Sequence, residues 1–437
     1  MIVQSLQPIV GLAPDLLIAG VVAGDGAAVK SVMLRLAPMS ALPDGKSVAV
    51  EGGALWVRQP EDIRRIGGAA PFVFAGRLDN RDEMLSALGQ HPGKTDAALA
   101  AAAWERWGDA ALSRLIGGFV LATWDAARSE MVLAVDTTGD ETVYTATLSG
   151  CFAFASHPQV LRPYLEAGDG GADWESLARK LWGQPLAAGR TLLRGIDRVP
   201  PGELWRVGRA GVRRQTYWRP GNAPPIRFRR DEDYVEAARE MLDRVVGCHL
   251  PADGRLAADL TGGLDSTSIV TAAARLAPHL TIDCLTIVGE PGAFIPYEIP
   301  GRSGDEWPAV QATAAAYPNL RLHRIEAGGL TPEEIDPTSL FETLPTKVRP
   351  SWVVGWGQSR KNMLSRLAPC RLLSGVAGNL AYSRDGFDRL PELLANGRWA
   401  TLAAEIRALT RKDGRPWRWY FLGRTLFIRP CPHHGGA

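Results

Sequence analysis

The chain lacks several features that would have settled its class at once. No run of about 18 apolar residues is free of charge, so no segment reads as a membrane-spanning helix. The first basic residue is Lys30. The apolar stretch from Met1 to Gly24 therefore has no positive region to open a secretory signal, and it carries Asp15 and two prolines besides. The five cysteines (Cys151, Cys248, Cys284, Cys370 and Cys431) are far apart and include no Cys-x-x-Cys pair, a pattern that fits reduced, mostly buried thiols better than a disulfide framework or a zinc site. Forty-nine Lys and Arg stand against 47 Asp and Glu, a net charge of +2 that gives no reason to expect nucleic acid or a membrane surface as partner. No internal repeat or low-complexity segment is evident. A cytoplasmic protein is expected, with 437 residues and 46% hydrophobic content sufficient for two domains.

What is present is concentrated in one run. Leu256 to Leu260 reads as an apolar strand, the segment with Gly262 and Gly263 up to Asp265 as a loop, and Ser266-Thr267-Ser268 as the opening of a helix. Such a loop points backbone N–H groups and hydroxyls at whatever lies before the helix, which suits a phosphate. Asp265 is the acidic group among those donors, placed to hold the magnesium that accompanies a nucleotide. An ordinary tight strand-to-helix turn is the competing explanation. No Gly-Lys-Ser/Thr follows the glycine pair at the Walker spacing, so a γ-phosphate transfer loop is not indicated.

Up to about residue 165 the pattern is one of short apolar runs divided by glycine turns: Phe72 to Ala75, Phe119 to Trp124, Met131 to Val135 and Cys151 to Ala155 read as strands. Thr95 opens a helix continued by Ala97 to Trp107. Residues 166–225 are rich in Gly, Pro and Arg, and a boundary is placed near Ala223-Pro224-Pro225. Beyond it an amphipathic helix is expected, capped by Asp231 or Asp233, with Tyr234, Ala237, Ala238, Met241, Leu242, Val245 and Val246 on one face. Strand 256–260, helix 266–276 and strand Ile282 to Val288 make a βαβ unit and hence a parallel sheet.

These motifs fall in a familiar order. Phe74-Ala75-Gly76-Arg77-Leu78-Asp79-Asn80-Arg81-Asp82-Glu83, Thr95-Asp96, Trp107-Gly108-Asp109, Leu115-Ile116-Gly117-Gly118-Phe119, Trp124-Asp125, Val135-Asp136-Thr137-Thr138-Gly139, Phe154-Ala155-Ser156, Thr191, Pro200-Pro201-Gly202 and Tyr217-Trp218 precede the glycine loop. Together they resemble the asparagine synthetase family over nearly the whole chain. The loop resembles the Ser-Gly-Gly-x-Asp-Ser loop of ATP pyrophosphatases, with Thr261 for the first serine. The resemblance implies an N-terminal-nucleophile glutaminase-like sandwich (1–165), a connecting segment (166–225) and an ATP-pyrophosphatase parallel-sheet α/β synthetase domain (226–437). The implied chemistry splits ATP between the α and β phosphates.

The departures from that family are specific. Ile2 stands where glutamine-using members have a nucleophilic cysteine, and an aliphatic side chain cannot attack an amide. The glutamine-holding Asn-Gly-Glu is Ala75-Gly76-Arg77 here, a cation for an acceptor. Asp96 matches a glutamine-binding aspartate but reads better as the cap of the following helix. Leu372-Leu373-Ser374-Gly375-Val376-Ala377-Gly378-Asn379-Leu380 resembles the Ser-Gly-x-Gly-x-Asp-Glu loop that faces the pyrophosphate loop. Val376 takes the place of a glutamate and Asn379 that of the metal-binding aspartate. With Ala381-Tyr382-Ser383-Arg384-Asp385-Gly386 it resembles the variant found in lasso-peptide macrolactam synthetases, against which a plain strand-to-helix turn remains the alternative.

Lesser features divide between two explanations each. Asp305-Glu306 lies where the family has an acidic pair near the nucleotide, and equally suits a helix N-terminus. Arg255 is placed to meet phosphate or simply to flank the strand in solvent. Trp352 and Trp356 fit a substrate groove or a core, with core the commoner outcome of i, i+4 spacing. The Arg-rich, Trp-rich stretch from Arg389 to Arg429 reads as a solvated helical face before a nucleic-acid surface, and Cys431-Pro432-His433-His434 as a disordered tail. The chain reads as C-terminally short: the family continues through helices that include a catalytic lysine, and this sequence stops soon after Ile428-Arg429-Pro430, as a naturally short member or a truncated one.

The function these residues and the resemblance imply is ATP- and magnesium-dependent amide-bond formation, foremost macrolactam (isopeptide) closure of a lasso precursor peptide. Asparagine formation from free ammonia and a catalytically degenerate nucleotide- or peptide-binding protein are the alternatives. Thr261, Gly262, Gly263, Asp265, Ser266, Ser374, Gly375 and Gly378 are expected at the ATP phosphates, Asp265 and Asn379 at magnesium, and Tyr382 and Asp385 as candidates for the base, with the precursor peptide and a leader peptidase as partners. With Ile2 and Arg77 in place, incubation with glutamine is expected to yield no glutamate above the buffer rate. Glutamate release by the purified chain contradicts this.

Overall fold

The computed structural model describes residues 4–6, 18–22, 46–57, 63–67, 70–89, 95–148, 151–161, 165, 171–252, 254–289, 305–326, 351–367, 370–376, 378, 383 and 386–426. The chain divides into two compact units, Ile2–Gly262 with Ser266–Ser374 and Gly263–Asp265 with Gly375–Ala437.

The larger unit begins with a sandwich. One six-stranded antiparallel sheet has the order Asp197–Arg198, Tyr144–Leu148, Cys151–Ala155, Ile18–Val22, Gly53–Val57, Lys46–Val50. The other runs Gly211–Thr216, Glu203–Gly208, Glu130–Val135, Phe119–Asp125, Ala70–Gly76, Ile63–Ile66. Side-chain alternation explains the uninterrupted apolar runs. Val73 and Ala75 face the layer shared with Ile18, Leu55 and Phe154 of the other sheet. Phe72 and Phe74 point the opposite way, onto helix Asp96–Trp107 through Leu99 and Ala103. A strand covered on both faces has no position left for a polar residue, so it cannot alternate. Gly20 is a point of close approach between strands: a Cβ there would lie against the Phe154 ring and 2.8 Å from Ala54 O.

Helix Asp96–Trp107 forms where expected, and its cap is Thr95, whose Oγ1 accepts from Ala98 N–H at 3.3 Å. Asp96 does not cap. Its carboxylate accepts from Leu78 N–H (3.0 Å) and pairs with Arg81, because the threonine one residue earlier already supplies the cap.

The rest of this unit is the expected parallel α/β layer, a five-stranded sheet ordered Gln4–Leu6, Cys370–Leu373, Leu256–Asp259, Ile282–Val288, Leu320–Glu326. The last four are parallel, while Gln4–Leu6 pairs antiparallel with Cys370–Leu373. Helix Leu264–Leu276 follows strand Leu256–Asp259 and starts two residues earlier than the sequence suggests. Helix Asp231–Gly247 forms, but its first turn is not closed by Asp231 or Asp233: the N-cap is Arg230, and Asp233 receives the Arg230 guanidinium at 3.2 Å instead. Its apolar face is also less buried than its period implies. Val246 is inside, whereas Tyr234 is 41% and Met241 53% exposed. The period alone gives a face without saying what covers it.

In the smaller unit Leu390, Leu393, Leu402, Ile406 and Tyr420 form a core among helix Arg389–Ala395, helix Trp399–Asp413 and a wide-turn helix Trp419–Leu426. Arg415 stacks over Trp419 (4.4 Å to the centroid), while Trp399 and Trp417 are exposed. The basic residues thus lie opposite an apolar interior, as the solvated-face explanation requires. Among the described residues no helix is long and apolar enough to cross a membrane.

One buried carboxylate organises the sandwich edge. Asp136 is fully buried and accepts from the backbone N–H groups of Phe119, Thr138, Gly139 and Glu141 at 2.7–3.2 Å, and from the Thr138 hydroxyl at 2.7 Å. Beside it the Tyr217 hydroxyl donates to Val135 O (2.6 Å), and burial raises that phenol above its ordinary range, with the Asp136 charge adding to the effect. Asp136→Ala orphans these N–H groups and is expected to cost about 3 kcal/mol or more in urea unfolding. A change under about 1 kcal/mol contradicts the network's role.

Candidate functional site

The site is built at the carboxyl end of strand Leu256–Asp259, where open α/β sheets place their ligands. The root of the loop is pinned on both sides. Leu260 N–H donates to Leu285 O (3.0 Å), and Leu260 O accepts from the buried Thr286 hydroxyl (2.8 Å). Asp259 holds the Arg360 guanidinium at 2.8 Å. Sequence reasoning missed Arg360, since one arginine within helix Ser351–Leu367 carries no local signal of a partner 101 residues away.

Within the loop, Thr261 N–H donates to Ser266 Oγ (3.0 Å), the two hydroxyls lie 2.8 Å apart, and the Thr267 hydroxyl donates to Thr261 O (3.1 Å). Thr261 therefore does locally what a serine would do. A Cβ at Gly262 would come within 3.3 Å of Ala309 Cβ and 3.6 Å of Glu306 Cβ. The Asp305-Glu306 pair accordingly lies beside the loop and also serves helix Trp307–Ala316, whose first N–H donates to Asp305 Oδ1 at 3.0 Å. Ser374, buried, ends strand Cys370–Leu373.

In the smaller unit, Asp265 and Gly378 meet. A Cβ on Gly378 would lie 2.6 Å from Asp265 Oδ2, closer than side chains tolerate, so only glycine fits here. Gly378 N–H donates to Gly375 O (3.1 Å), closing the turn that begins at Gly375, and Val376 is 52% exposed. The structure thus brings Thr261 to Ser266 and Asp265 to Gly378. Asn379, Tyr382 and Asp385, and likewise Ile2 and the Cys431 to His434 tail, lie outside the described residues. Gly263 belongs to the same short segment as Asp265.

Other candidates are displaced. Arg255 does not reach a phosphate position. It precedes the strand, at the sheet end opposite the loop, and donates to Leu367 O at 3.2 Å. Trp356 is 45% exposed and not core, because its helix covers the sheet with Leu364 and Leu367 instead; the Trp352 side chain is outside the described residues.

The N-terminus of a 13-residue helix, entered through a glycine pair and carrying the Asp265 carboxylate in its first turn, suits a magnesium-bound phosphate chain. The sequence comparisons agree with that arrangement. The glutamine amidotransferase domain model matches residues 59–218 and the asparagine synthase model residues 237–329. The chain belongs to the asparagine synthetase family.

Among curated relatives, a putative glutamine-hydrolysing asparagine synthetase of Mycobacterium tuberculosis is 30% identical over 219 residues, 48% of this chain and 34% of the relative. The carboxyethyl-arginine beta-lactam-synthase of Streptomyces clavuligerus is 29% identical over 49% of this chain and 39% of its own length. The matches therefore span little more than a third of these relatives. Among solved structures, a glutamine phosphoribosylpyrophosphate amidotransferase from B. subtilis aligns over 65% of this chain and 69% of its own, at 15% identity and a TM-score of 0.33.

Gly378→Ala is expected to weaken ATP binding by at least about tenfold, or about 1.4 kcal/mol, in calorimetry. Wild-type affinity in that variant contradicts the proximity of Gly378 and Asp265.

Proposed function

We propose that this protein is an ATP- and magnesium-dependent amide-bond-forming ligase that closes a macrolactam in a precursor peptide. The observation that carries it is the Thr261–Ser266 loop at a strand-to-helix junction, with Asp265 held against Gly378. In this reading Thr261, Gly262, Gly263 and Ser266 bind the phosphates from the loop, and Ser374, Gly375 and Gly378 from the second turn. Asp265 and Asn379 would hold magnesium, which supplies charge neutralisation for the leaving phosphates.

A side-chain carboxylate oxygen of the peptide attacks the α-phosphorus and expels pyrophosphate. The peptide's own N-terminal amine then attacks the acyl carbon, expels AMP and gives up a proton. Tyr382 and Asp385 are the candidates to receive that proton. Holding amine and acyl group together supplies most of the advantage.

Two observations favour an internal amine over glutamine-derived ammonia. Arg77 takes the sequence position of the glutamate that, by resemblance, holds glutamine in the family, and its guanidinium is paired with Asp79 at 2.8 Å. The β-lactam synthase relative is named for an intramolecular amide closure. The exposed Val376, in place of a glutamate, gives no hold for the ammonium or amino groups of aspartate-plus-ammonia chemistry. A precursor peptide and a leader peptidase are the proposed partners.

Pyrophosphate release distinguishes the readings. Release that requires a candidate precursor peptide is expected, and it should vanish in Asp265→Ala. Release with aspartate and ammonia alone identifies an asparagine synthetase instead. ATP binding without release under either condition identifies a degenerate nucleotide-binding protein.

A further inference from the structure

A second cluster of unlike polar groups lies where the sandwich meets the synthetase sheet, within the larger unit. Arg77 follows strand Ala70–Gly76, and His249 follows helix Asp231–Gly247. Asp79, Cys248 and His249 each present a ligand atom within 4.8 Å of the others. A carboxylate, a thiol and an imidazole at that spacing are a donor set for a borderline transition-metal ion.

The position between them is not available. Arg77 Nη2 lies 2.5 Å from His249 Nε2 and 2.8 Å from Asp79 Oδ1. His249 Nδ1 is 2.7 Å from Val245 O, a contact that needs the ring hydrogen on Nδ1. Nε2 then carries the lone pair that accepts from Arg77. Burial, and next the Arg77 charge, lower His249 to about 4, so the ring stays neutral. Asp79 is raised by burial in spite of Arg77, with Asp140 and Asp136 contributing to the rise.

The cluster has an outlet. His249 O accepts from Arg371 Nη1 at 2.8 Å, and Arg371 lies on strand Cys370–Leu373, which ends at Ser374. A chain of contacts thus runs from the position that lost glutamine recognition to the strand carrying a phosphate-site candidate.

We propose that Arg77 is a built-in cation that occupies a carboxylate–thiol–imidazole pocket at the junction of the two halves and, through His249 and Arg371, positions the strand that presents Ser374. Arg77 is a positioning residue, and the second half of the proposal rests on the ATP-site reading of Ser374. The junction explains what an amidotransferase-like half without its chemistry contributes: a fixed base for the synthetase sheet.

The test uses the full chain and cobalt(II) as probe. Arg77→Ala should bind one Co²⁺ and develop the near-ultraviolet thiolate-to-cobalt band, absent from wild type and from Arg77→Ala/Cys248→Ser. The same variant should bind Mg-ATP about tenfold more weakly than wild type. Loading the pocket with stoichiometric Co²⁺, excess removed, should restore the affinity, a rescue that a merely structural role does not give. Arg77→Met, which keeps the apolar stem, is the second variant should Arg77→Ala not fold. Equal cobalt binding by wild type, or none by either variant, overturns the pocket. Unchanged ATP affinity in both variants overturns the positioning role. Failure of wild type to bind ATP overturns the ATP-site reading and the positioning role with it, while the cobalt band still decides the pocket.

Discussion

The site depends on the closeness of Gly378 to the Asp265 carboxylate. That carboxylate lies in the first turn of helix Leu264–Leu276, where the helix dipole stabilises an anion by about 0.3–1 kcal/mol. The same field favours phosphate, so carboxylate and phosphate compete for one set of donors unless a divalent cation lies between them. Gly378 packs directly against that carboxylate: a Cβ at residue 378 would lie 2.6 Å from Asp265 Oδ2 and displace it, which is why residue 378 matters as much as the first loop.

The surrounding architecture serves to hold the loop's root. Both polar groups of the Leu260 peptide unit are bonded to the neighbouring strand, and Asp259 is tied to Arg360. The Thr261–Ser266 hydroxyl pair then closes the turn from within. A loop fixed at its base by main-chain bonds in a parallel sheet, and closed by its own side chains, is ordered before any ligand arrives, so little ordering cost falls on binding. The sandwich adds the Arg77–His249 contact, whose His249 carbonyl in turn accepts from Arg371 on strand Cys370–Leu373.

Much of this was legible in the sequence because two periodicities are strong. Strands buried on both faces announce themselves as unbroken apolar runs, so Cys151–Ala155 and Ile282–Val288 were placed to the residue. The glycine loop was legible for a related reason: two glycines and four hydroxyls in the eight residues from Thr261 to Ser268 serve few other purposes. What failed were choices between adjacent polar residues. Asp96 and Asp233 are each capable of closing a helix, but Asp96 accepts from Leu78 N–H, distant in sequence, and Asp233 from the neighbouring Arg230 guanidinium. Arg360, His249 and Arg371 were invisible for the same reason, since a long-range pair leaves no spacing to read. Tyr234 and Met241 show the converse, a regular apolar face that is only partly covered.

The central claim is that a carboxylate is activated at the α-phosphate. Peptide substrate carrying ¹⁸O in its side-chain carboxylate, turned over with ATP, tests it most directly. The account predicts one ¹⁸O atom in the phosphate of AMP for each amide formed. Label in inorganic phosphate with ADP as co-product, or amide formed with unlabelled AMP, would contradict it.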